Sequence, residues 1–170
     1  MAVVYTKSAS LTAMDTPGSA LPLSRLQRSS LKIAKGKVEV ANGDSIGSVL
    51  RFVRIPSNAI IHQIQVKITG TITSAAGDLG VYRSSTSTTA SGTVVDVDLF
   101  CSARTFASAV ADWTDITNES ASITATVAEY PLWQMAGASS DPGELYEIAI
   151  TLTAAAAAAG QIHLAVLYSD

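Results

Sequence analysis

The sequence predicts an all-β protein: an antiparallel β-sandwich, jelly-roll-like, of about eight strands, preceded by an extended N-terminal arm. Three observations predict it. From Lys37 onward, short runs that alternate apolar and polar residues recur between turns rich in Gly, Asn, Ser and Asp. Ser, Thr, Ala and Gly are abundant while the helix formers Lys, Glu and Gln are scarce. No long helical period separates the runs, and eight short strands without long helices pack most simply as two antiparallel sheets.

The elements follow in chain order. Residues 1–36 mix Ser, Ala, Pro and Gly with isolated apolar residues, and read as an arm that is extended or only locally ordered until it meets a partner. Ser24 could cap a short helix running to Ala34, although the apolar spacing there gives it little support. Residues 37–170 form the sandwich, a length suited to one domain. In "KVEVANGDSIGSVLRFVRI", strands near 37–41 and 47–55 are joined as a hairpin through Asn42-Gly43-Asp44, where glycine supplies positive φ. The clearest strand, near 61–72, sets Ile64, Val66 and Ile68 against Gln63, Gln65, Lys67 and Thr69. Strands near 78–83 and 94–100 follow, the second opposing Val95, Val97 and Leu99 to Asp96 and Asp98. "RTFASAVADWTDITNES" reads as a helical turn mixed with loop, and "SITATV", near 122–127, as a weaker strand. Pro131 and Gly137 bracket one short helix or 3₁₀ turn, with Trp133 plugging one end of the core.

The last segment, "EIAITLTAAAAAAGQIHLAVLYSD", is uncharged from Ile148 to Ser169 and carries six consecutive alanines. Six alanines span roughly 9 Å as a helix, too short to stand alone in water. A membrane span would place Gly160, Gln161 and His163 in its middle and lacks a basic flank. Period-two alternation on both sides instead predicts strands near 145–153 and 161–168, joined as a hairpin by an alanine-rich loop. The N-terminus has no charged start followed by a long apolar run, so no secretory signal is expected and synthesis is placed inside the cell.

Charge is unevenly distributed. Up to Lys37 the chain carries six basic residues against Asp15, a balance of +5, whereas the remaining five basic and thirteen acidic residues leave −8. A basic leader on an acidic body points to an acidic partner surface, and the residues expected to meet it are Tyr5, Lys7, Arg25, Arg28, Lys32 and Lys35. Six scattered charges beside one aromatic do not make a nucleic-acid site.

No chemistry-bearing constellation emerges. "NGDSIG" offers Ser45 as a nucleophile, but His62 and His163 lie in no partner motif, and a hairpin turn capped by Asp44 and Ser45 explains the string better. Two histidines without carboxylates at ligand spacing argue against zinc, and Asp96 and Asp98 lack the further oxygen ligands calcium needs. Cys101, in "DLFCSA", reads as a buried, quiet thiol. Trp113, Trp133, Tyr130 and Tyr146 could line a sugar site, but a core of this size uses most of its aromatics for packing. No phosphate-binding glycine loop is present, and no enzyme activity, metal or cofactor is expected.

The ordered strings "AKGKVEVANGDSIGSVLRFVRIPSNAIIHQIQVKI", "GDLGVYR", "VVDVDLFCSA", "PLWQMAG" with "SSDP", and "LYEIAITLTAAAAAAGQIHLAVLY" cover roughly residues 34–168. In that order they resemble the capsid decoration, or cement, proteins encoded among the head genes of tailed bacteriophages. The resemblance implies a β-sandwich or jelly roll that binds the outer capsid without chemistry, as a virion component assembled in the host cytoplasm. Its implied partners are the major capsid protein and neighbouring copies, as a homo-oligomer on the shell. It supplies no residue-level contact motif. A head-fibre, baseplate or tail-fibre component with a glycan-binding role is the alternative.

Overall fold

Alternation of β-branched and polar residues builds nearly all the regular structure of this chain, whose computed structural model describes residues 30–86, 91–120, 123–124 and 127–170. The strands are β1 Lys32–Val40, β2 Val49–Pro56, β3 Ile60–Thr69, β4 Ala76–Arg83, β5 Val94–Thr105, β6 Thr114–Asp115, β7 Leu145–Ala154 and β8 Gly160–Ser169. Among the described residues only a 3₁₀ turn, Val127–Glu129, and a four-residue helix α1, Leu132–Met135, depart from this plan.

Two four-stranded antiparallel sheets form the sandwich, ordered β1-β8-β3-β6 and β2-β7-β4-β5. The pairs nest: β1 with β8, β2 with β7, β3 with β6 and β4 with β5, while β8·β3 and β7·β4 complete the sheets. Between the sheets, Ile64, Val66 and Ile68 of β3 and Ile162, Leu164 and Val166 of β8 join Ile148, Ile150 and Leu152 of β7 and Leu79 and Val81 of β4 in one buried cluster. Each such side chain contributes about 1.5–3 kcal/mol when withdrawn from water. Phe106, Ile116, Ile72 and Leu132 are fully buried additions from the connections.

Strand positions agree closely with the sequence reading; several connections do not. β1 and β2 lie in different sheets, as do β7 and β8, so neither expected hairpin exists. Alternation says which face of a strand meets the core but not which strand lies beside it. β7 satisfies both its edges with β2 and β4, and β8 with β1 and β3. The alanine link therefore crosses from one sheet to the other, and it is a loop as expected.

Its backbone is claimed by two other crossings at the same end of the sandwich. Ala156 N–H donates to the Asp44 carbonyl (3.0 Å) and Gly43 N–H donates to the Ala156 carbonyl (2.8 Å). Ala157 and Ala158 N–H donate to the Thr73 and Ile72 carbonyls, each at 3.0 Å. Donors committed sideways cannot close helical turns, and Ala156 is buried, 2 % exposed. The Asn42-Gly43 turn does form, with Gly43 at φ 94°, and Asp44 Oδ2 accepts from Ala41 N–H at 2.9 Å.

Three further expectations are corrected. Lys32–Ala34, the end of the possible capped helix, is strand: the whole of β1 pairs in register with β8, and that pairing overrides a weak local preference. Ser24 itself lies outside the described residues. "RTFASAVADWTDITNES" contains no helical turn; it begins inside β5 and supplies β6, because Phe106, Val110 and Ile116 give their N–H groups to Ala75, Ile68 and Ile64 rather than to the preceding turn. Of the strand expected near 122–127, Ser122, Ala125 and Thr126 lie outside the described residues, Ile123 and Thr124 are not strand, and Val127 opens the 3₁₀ turn. The eighth strand is β6 instead. The short helix after Pro131 is present, ending before Gly137 at φ 78°. Its plug is chiefly the fully buried Leu132, with Trp133 half-buried beside it.

Candidate partner-binding surface

Of the six expected contact residues, Tyr5, Lys7, Arg25 and Arg28 lie outside the described residues. Lys32 and Lys35 sit on β1, an edge strand of its sheet. Both have partners within the chain. Lys32 Nζ meets Asp170 Oδ1 at 2.5 Å, and this hydrogen bond raises the lysine pKa. Lys35 Nζ stands 6.0 Å from the centroid of the Trp113 ring, a cation–π distance.

The β1–β8–β3 register lays three rows of side chains across the outer face of this sheet: Ile33–Leu167–Gln63, Lys35–Ala165–Gln65 and Lys37–His163–Lys67. Asp115 of β6 extends the middle row beyond Gln65, and Trp113 directly precedes β6. Contact between Trp113 and Lys35 thus spans the sheet, over the small Ala165, which is only 2 % exposed. Leu31 (57 %), Ile33 (58 %) and Trp113 (39 %) remain exposed among these lysines. Lys37 pairs with Glu39 at 3.1 Å, whereas among the described residues Lys67 makes no ion pair. At the β6 end, burial would raise the Asp115 pKa, but hydrogen bonds from Thr117 and Gln63 outweigh it and hold the carboxyl below the usual range.

The other sheet has a different outer face. Glu147 of β7, 4 % exposed, is bracketed by two guanidinium groups of β2, Arg54 at 2.9 Å and Arg51 at 3.5 Å. Glu147 lies on the face of β7 opposite the core residues Ile148 and Ile150, and the arginines and Ser85, whose N–H also donates to it at 3.3 Å, cover it. A cavity of about 260 Å³ opens here, lined by Arg51, Phe52, Val53, Arg54 and Glu147.

The residues weighed for chemistry are dispersed. Ser45 is exposed and its carbonyl accepts from Ser48 N–H. His62 Nε2 is 2.9 Å from Ser169 Oγ and His163 Nε2 is 3.3 Å from Thr69 Oγ1, so neither histidine is hydrogen-bonded to Ser45. Cys101 is buried, and burial pushes its thiol up to about 11. Among the described residues no three His, Cys, Asp or Glu side chains are grouped to hold a metal ion, and no helix is long and apolar enough to cross a membrane.

Comparison with known proteins gives two structural likenesses and no family. No family model and no curated protein matches the chain. One similar chain comes from the Cyanophage Pam1 capsid asymmetric unit, 15 % identical with a TM-score of 0.48, covering 91 % of this chain and 96 % of that one. Another comes from the acidic stable capsid structure of Helicobacter pylori bacteriophage KHP30, 14 % identical with a TM-score of 0.45, covering 84 % and 89 %.

Sequence reasoning missed Ile33, Lys37, Lys67, Leu167 and Trp113 as members of one surface. The alternation in "KITG" and "QIHLAVLY" exposes Lys67 and His163 on one side of their strands, but only the register places them in a row with Lys37.

Proposed function

We propose that this chain is a virion structural protein that binds the outer surface of a phage capsid and stabilises the shell, a decoration or cement protein acting by binding rather than by chemistry. The observation that carries this reading is the outer face of the β1-β8-β3-β6 sheet: Leu31, Ile33 and Trp113, large, apolar and exposed, lie among Lys35, Lys37 and Lys67 where residues 1–29 join the sandwich. Exposed apolar side chains rimmed by charge suit a protein surface as partner. The ordered sequence strings point to the virion, and the nested strand pairs fit a jelly-roll winding. The arm, with Tyr5, Lys7, Arg25 and Arg28, extends the same basic character towards the major capsid protein and neighbouring copies. The alternative, a fibre or baseplate component that binds glycans, is favoured only by the exposed ring of Trp113.

The test is retention on purified capsids of a chain lacking residues 1–29, which leaves β1 whole. A folded domain with at least tenfold weaker association is expected, since ordering an arm across subunits buries much surface. Full retention removes the role given to the arm. Virion mass spectrometry separates the two readings: copy number near that of the capsid protein supports decoration, and a few copies per particle supports a fibre.

A further inference from the structure

The sandwich carries a second patch that complements the first. β5 is an edge strand of its sheet, paired on one side with β4 and held on the other, among the described residues, by Ser120 N–H donating to the Phe100 carbonyl (2.8 Å). Val94, Asp96 and Asp98 occupy alternate positions at its start, and Val94 is 49 % exposed. Neither aspartate meets a cation among the described residues; Asp98 N–H donates to Asp96 Oδ1 at 3.3 Å. Two like charges and an exposed valine on an edge strand are a combination that gains from a cationic, apolar neighbour.

We propose that a second copy of this chain supplies that neighbour: the β5 edge, through Val94, Asp96 and Asp98, docks on the outer face of the β1-β8-β3-β6 sheet, against Lys35, Lys67 and Ile33. The two patches are opposite in charge, each carries an exposed apolar residue, Val94 or Ile33, and among the described residues Lys67 and both aspartates make no ion pair. β5 and β1 belong to different sheets, so donor and acceptor patches are distinct surfaces of one molecule. Such a contact is heterologous: it repeats head to tail and closes into a ring when the rotation allows. This gives the neighbouring-copy contact of the capsid reading its geometry; the association is a property of the isolated chain, so its failure would leave capsid binding by the same face standing.

The experiment is sedimentation velocity on the full chain from micromolar to millimolar concentration, at low and high salt, with reciprocal charge variants. Wild type is expected to self-associate, about tenfold more weakly at high salt. Asp98→Lys with Val94→Ser should remain monomeric, as should Lys35→Glu with Lys67→Glu, each keeping the wild-type circular dichroism. Mixing the two variants should restore assembly, since the unchanged edge of one then meets the unchanged face of the other. A wild type that stays monomeric throughout, folded variants that associate like wild type, or a mixture that fails to assemble would each overturn the proposal. Should the valine change unfold the chain, Asp98→Lys alone answers the same question.

Discussion

At the scale of single residues, two carboxylates behave as alternation alone would not suggest. Burial raises the Asp96 pKa and the neighbouring Asp98 carboxylate adds to it, while the Asp98 backbone N–H opposes. A carboxyl whose folded pKa lies above its unfolded value costs stability as pH rises through that window, and the cost persists at neutral pH. Asp96→Asn should therefore raise the unfolding temperature of the monomer at pH 7, with the gain disappearing below the unfolded carboxylate pKa, about pH 4. Thermal unfolding across pH checks this; an equal gain at pH 3 would assign the effect to packing instead. Glu147 is the second case. Its burial is tolerable because Arg51 and Arg54 bracket it, so removing both cations leaves an uncompensated buried charge. Arg51→Ala with Arg54→Ala should cost about 3–5 kcal/mol in urea denaturation, more than Glu147→Gln, which leaves both arginines their hydrogen bonds to the Ser85 carbonyl.

At the scale of elements, the alanine run shows what decides between helix and loop. Intrinsic preference favours helix, yet the N–H groups of Ala156, Ala157 and Ala158 are spent on Asp44, Ile72 and Thr73 of two neighbouring crossings. Small side chains let three loop backbones approach within hydrogen-bonding distance, and a Cβ on the following Gly160 would already stand 2.7 Å from Ile72 Cγ1. Ala156→Leu should destabilise the fold by about 1–3 kcal/mol through overpacking, whereas the same change at the exposed Ala155 should cost under 0.5 kcal/mol. Equal effects at the two positions in chemical denaturation would refute the clamp. Strand β3 was legible because Ile64, Val66 and Ile68 alternate without interruption; β6 was not, since two residues carry no period and owe their conformation to the β3 edge. The start of β1 was missed for a related reason, the exposed Leu31 just before it and Ile33 within it giving no burial pattern to read.

At the scale of the whole molecule, the sequence by itself determined that the chain is all β, where most strands lie, which side of each faces the core, that Cys101 is buried and that the alanines do not form a helix. Those properties follow from period-two alternation and turn chemistry, which act over a few residues. Only the tertiary structure decided which strand pairs with which. Both links that looked like hairpins cross between sheets, because a strand's face is fixed by its own side chains while its neighbour is fixed by backbone edges that any strand can satisfy. The candidate surface belongs to that second class: Lys35, Lys37, Lys67 and Trp113 come from separate parts of the chain, and only the register of β1, β8, β3 and β6 sets them side by side.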